Sequence, residues 1–91
     1  MHAVVVRVRL DDEDLARQFL TDQVVPRVSQ APGFVAGYWA RSDDGSNGMS
    51  MIVFESEENA RAVAQMIESS MDQNQGASLE GTEVREVVAS A

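Results

Sequence analysis

The stretch Gly48-Met-Ser-Met-Ile-Val-Phe-Glu55 constrains this chain more than any other. It reads as a β-strand that is apolar on both faces. Met49, Met51 and Val53 point one way, and Ile52 and Phe54 point the other. Two apolar faces need two covers. The chain holds helices enough for one of them, so the other is expected from a second copy of the chain.

The remaining elements follow in order. His2–Leu10 is β-branched and extended, with Val4, Val6, Val8 and Leu10 on one wholly apolar face and Ala3, Val5, Arg7 and Arg9 on the other. Asp11, Asp12, Glu13 and Asp14 suit a helix start, where carboxylates cap free amides and meet the positive end of the dipole. A helix is expected from Asp12 or Glu13 towards Ser29, with Leu15, Phe19, Leu20, Val24 and Val28 as its buried stripe. Pro26 removes a backbone donor and crowds the preceding turn, which predicts a kink or break near Asp22–Val25.

Ala31-Pro32-Gly33 is a turn. The second strand, Phe34–Ser42, places Phe34, Ala36, Tyr38 and Ala40 on one face and Val35, Gly37, Trp39 and Arg41 on the other. Asp43–Gly48 is a polar hairpin tip. Even pairing with the third strand sets Trp39 opposite Met51 and Tyr38 opposite Ile52, unless a bulge in the tip shifts the register. Ser56-Glu57-Glu58-Asn59 starts a second helix with the stripe Ala60, Val63, Ala64, Ile67 and Met71. Asp72–Gly81 reads as a polar loop anchored by Leu79, and Thr82–Ala89 as a fourth strand.

The order β-α-β-β-α-β, with right-handed crossovers, gives an α+β fold: a four-stranded antiparallel sheet with both helices on one face and strands one and three central. The opposite face then carries Val5, Val35, Trp39, Met49, Met51 and Val53, rimmed by Arg7, Arg9, Arg41 and Glu55. Soluble monomers rarely keep such a patch open, so a symmetric homodimer with sheets face to face is expected.

Ninety-one residues fit one domain, 1–91, and a core this small gains from association. The formal charge is −8 and every basic residue is an arginine, which argues against nucleic acid and against an anionic membrane as partners. With no cysteine, disulfides and thiolate metal sites are excluded. The apolar run Ala3–Val6 ends too soon for a signal peptide or a membrane span, so a cytoplasmic location is expected.

Pro32-Gly33-Phe34 opening a strand, and Val53-Phe54-Glu55-Ser56-Glu57-Glu58 leading a strand into an acidic helix start, resemble the antibiotic-biosynthesis-monooxygenase-like (ABM) members of the dimeric α+β barrel superfamily. The resemblance implies a ferredoxin-like protomer and a homodimer whose sheets form a barrel. It also implies a small apolar or aromatic ligand between sheet and helices, here beside Val6, Phe34, Tyr38, Ile52 and Phe54. Val5, Arg7, Trp39, Met51 and Val53 would then form the dimer interface. Haem degradation in that superfamily uses an Asn on the first strand, a Trp ending the third and a His on the second helix. This chain has no such Asn, carries Phe54 at the Trp position, and has no His in Ser56–Asp72. No cofactor is therefore expected. The cofactor-free oxygenases are matched less well at the same places, and Tyr38 alone could offer a phenol to the pocket.

Three readings follow: a dimeric ligand-binding protein; a cofactor-independent monooxygenase of a small aromatic or quinol-like compound, with Tyr38 orienting substrate; and a structural dimerisation module without a pocket. Trp39 is expected to fill the interface rather than to bind ligand. Arg7, Arg9, Arg41 and Arg85 are expected to pair with Glu55, Glu83 or Glu86. His2, the one histidine, sits at a fraying end and is not expected to bind metal. Asp43, Asp44 and Asn47 lack calcium-loop spacing and read as turn formers. Met49, Met51, Met66 and Met71 are adaptable packing that can line a pocket.

Overall fold

The computed structural model describes residues 1–70 and 76–91. Strands β1 (His2–Leu10), β2 (Phe34–Arg41), β3 (Asn47–Phe54) and β4 (Ala77–Glu86) form one antiparallel sheet in the order β2-β3-β1-β4. β1 and β3 are central, as the chain order requires. Helical segments α1 (Glu13–Phe19) and α2 (Val25–Ser29), joined by a π-helical turn over Leu20–Val24, lie with α3 (Glu57–Ser70) on one face. Among the described residues, no helix is long and apolar enough to cross a membrane.

Local chemistry explains the boundaries. Asp12 caps α1 by accepting a 3.1 Å hydrogen bond from the Leu15 amide. Pro26 acts as expected but more gently than a break. The backbone before it widens into a π turn, in which the Val25 amide donates to the Leu20 carbonyl one residue further back than in an α-helix. Ser56 caps α3 by accepting from the Asn59 amide at 3.1 Å. The core lies between α3 and the central strands: Phe54, Ile52, Val4 and Val28 are fully buried. Phe34 meets Phe54 edge to face, with centroids 6.1 Å apart. Leu15, expected in the buried stripe, is exposed. Met71 and Asp72, the expected end of the second helix and start of the loop, fall outside the described residues.

Two β-bulges correct the sequence reading. In β4, Arg7 of β1 faces Gly81 while Val8 faces Leu79, which leaves Glu80 as the extra residue. The strand therefore starts at Ala77, five positions before the expected Thr82, and the supposed loop residues Ala77–Gly81 belong to the sheet. In β2, Phe34 faces Phe54 and Ala36 faces Val53, so Val35 is extra. Phe34 keeps its expected helix-facing position. Beyond the bulge every side chain changes face. Tyr38 pairs with Met51 and Trp39 with Ser50, in place of the even register.

Candidate functional site

Beneath the first helical run lies a cavity of about 680 Å³, within the roughly 300–1,000 Å³ usual for small-molecule sites. It exists because α2 packs on β2 while α3 packs on β1, β3 and β4. The α1 segment and the π turn line the same cavity as β1, β3 and the later part of β2. The floor is Val6, Val8 and Leu10 of β1 with Ser50 and Ile52 of β3. The roof is Ala16, Phe19, Leu20 and Val24, and Trp39 and Met66 contribute walls.

The wall is mostly hydrocarbon, with polar groups at few points. Ser50 is the one buried polar residue among the described residues, 7% exposed, and no side-chain hydrogen bond within them engages its hydroxyl. Glu13, Arg17, Gln23, Arg27 and Arg41 add polar lining. One oxygen of Glu13, Oε1, takes Arg17 Nη2 at 3.0 Å and Arg41 Nε at 3.2 Å, tying α1 to the β2–β3 hairpin at the rim. Trp39 holds its place through Gly37, two residues earlier on the same face. A Cβ on Gly37 would stand 2.7 and 2.9 Å from two indole carbons, so the ring lies flush on the bare backbone.

The expected site residues divide. Val6 and Ile52 line the cavity. Phe34 and Phe54 face the helices and fill the core beside it. Tyr38 does not reach it. It lies on the opposite face, 72% exposed, because the Val35 bulge reverses the strand after that point. Trp39 is corrected in the other sense, from the open face to the cavity wall. Arg41 likewise leaves the expected outer rim for the cavity rim. Gln23, Arg27 and Ser50 join the lining beyond the expected residues; in the sequence only the helical period of Arg27 and the strand parity of Ser50 point to them.

The likeness to solved structures is one of shape. A dimeric ferredoxin-like protein from an uncultured marine organism matches 100% of this chain and 98% of its own, with a TM-score of 0.61 and 11% identity. A monooxygenase from the gene ActVA-Orf6 of Streptomyces coelicolor, solved with the ligand nanaomycin D, matches 99% of this chain and 92% of its own, with a TM-score of 0.59 and 19% identity. The sequence matches no family model and no curated protein. The fold is ferredoxin-like.

On the open face of that fold, Val5, Met51 and Val53 sit where expected, joined by Met49, Tyr38 and the bulged Val35. Tyr38, Met49, Met51 and Val35 are all exposed in the single chain. Arg7 pairs with Glu83 at 3.4 Å and Arg85 with the other oxygen of Glu83 at 2.8 Å, so those pairings follow expectation. Arg9 instead takes Asp11 at 2.8 Å, and Ser78 also donates to Asp11. These two partners hold the Asp11 carboxyl below its usual range, the Ser78 hydroxyl contributing most. At the hairpin tip, Asp44 accepts from Ser46 Oγ, the Ser46 amide and Ser42 Oγ, which lowers its pKa to about 2. That turn role is the one expected. His2 Nδ1 is buried without a partner among the described residues, at the end of β1 away from the cavity.

Proposed function

We propose that this protein is a homodimer that binds a small apolar or aromatic molecule between sheet and helices. The single observation that carries the ligand is the 680 Å³ apolar cavity walled by Trp39, Phe19, Val8 and Ile52. A filled core would have supported the structural-module reading instead. The homodimer is supported by the exposed Tyr38, Met49, Met51 and Val35 on one sheet face, and by the dimeric state named for a protein of like fold.

Trp39 is the sole tryptophan, so its emission reports the cavity directly. Titration with naphthalene- and anthraquinone-type compounds is expected to shift or quench that emission saturably. Ala16→Phe, which fills the roof without adding a second tryptophan, is expected to abolish the response while the circular dichroism stays unchanged. No saturable response from any such compound would sink the reading.

A cofactor-independent monooxygenase is the second reading, supported by the ligand-bound monooxygenase of like fold. Oxygen uptake with a quinol panel tests it. Since Tyr38 faces away from the cavity, Tyr38→Phe is expected to leave any uptake intact, whereas Trp39→Phe or Ser50→Ala is expected to lower it.

A further inference from the structure

We infer that the molecule held in the cavity is an aromatic acid, whose ionised group is taken by Arg27. The inference rests on the ligand-binding reading above and adds a charge to it.

The observation is a reversal of sign. The chain as a whole carries −8. The cavity lining carries three guanidinium groups, Arg17, Arg27 and Arg41, against one carboxylate, Glu13, a local balance of +2. Arg17 and Arg41 share that carboxylate through a single oxygen. Arg27 has none. Every other arginine has an acidic partner: Arg7 and Arg85 on Glu83, Arg9 on Asp11, Arg61 on Glu57 at 2.7 Å. Among the described residues Arg27 is the exception, and it stands exposed at the edge of a hollow whose wall is mostly hydrocarbon. A guanidinium there offers planar, two-pronged donation that matches a carboxylate. The adjoining hydrocarbon of Val24 and Val28 suits a ring system. An acid with an aromatic body satisfies both surfaces at once. A neutral hydrocarbon would satisfy only one.

The competing use of Arg27 is to lay its aliphatic stem on the cavity wall with its charge in water. A matched pair of probes separates the two. 2-Naphthoate and 2-naphthamide differ in charge and little in shape. In the wild type the acid is expected to bind about tenfold more tightly than the amide, the lower end for hydrogen bonding to a charged group. Arg27→Gln should remove that preference by weakening the acid and leaving the amide unchanged. Arg61→Gln, outside the cavity on α3, should change neither. Equal binding of acid and amide by the wild type, or a preference that survives Arg27→Gln, overturns the inference while the amide's own binding keeps the cavity reading alive. If neither probe binds, both readings fall.

Discussion

Gly37→Ala tests the contact that places Trp39 in the cavity. The glycine has no positive φ, so alanine fits the backbone and would ordinarily stabilise by about 0.4–1 kcal/mol through the unfolded chain. The new methyl carbon would stand 2.7 and 2.9 Å from the two outer indole carbons. Carbon pairs settle near 3.5–4.0 Å, so the ring must retreat by about 1 Å. It has somewhere to go, because the indole borders the cavity. Overpacking of this kind costs about 1–3 kcal/mol, and the free space favours the lower end. Setting the gain against the cost leaves about 1 kcal/mol of destabilisation at most, a fall in Tm of about 4–8 °C for a domain of this size. Affinity for an aromatic ligand should fall as well, since the displaced ring occupies its space. Thermal unfolding and the emission maximum of Trp39 are the measurements. Pairing the substitution with Trp39→Leu should erase the penalty. A variant more stable than wild type, with unchanged emission, would show that the indole does not lie over Gly37, and the corrected register would fall with it.

Two further outcomes are expected. Met51→Glu puts a charge at the centre of the open sheet face, beside Val5 and Tyr38; sedimentation should show a dimeric wild type and a monomeric variant, and a wild type monomeric at micromolar concentration would remove the homodimer. At the hairpin tip, the Asp44 carboxyl is held at about 2, below its ordinary 3.8. The folded-state pKa is the depressed one, so its contribution to turn order is complete above about pH 4 and lost as pH falls towards 2. The protection factor of the Ser46 amide should fall across that window, and Asp44→Asn should flatten the dependence; a protection factor flat from pH 5 to pH 2 in the wild type would contradict it.

Much of the fold was legible because the signals were redundant. Strand β1 is marked by four β-branched or leucine side chains on one face, and no alternative period fits them. Helix α3 has a hydroxyl cap, acidic first turn and apolar stripe that agree with one another. The π turn was half legible: Pro26 announces a disturbance, but the sequence does not say whether the helix will break, bend or widen. The early start of β4 was hidden because Ala77-Ser78-Leu79-Glu80-Gly81 carries a glycine, a bulge and little β-branching, and its strand state comes from pairing with Val8, Arg9 and Leu10. Such pairing is a tertiary effect that local propensity does not carry.

The site was harder to read for a different reason. A bulge adds no residue type that announces it; Val35 is as good a strand former as its neighbours. Yet its single extra residue exchanges Tyr38 for Trp39 across the sheet. One clue was present. Even pairing would have set Gly37 on the open face, with no purpose there, and buried the Tyr38 hydroxyl under the helices without an evident partner. The observed register places Gly37 beneath the indole and leaves the phenol in water. The glycine and tryptophan two positions apart are therefore one unit, a platform and the ring that lies on it, and the bulge is what aims that unit at the cavity. On the helix-facing side of the sheet it is Trp39 that borders the cavity, while the tyrosine beside it lies on the opposite face.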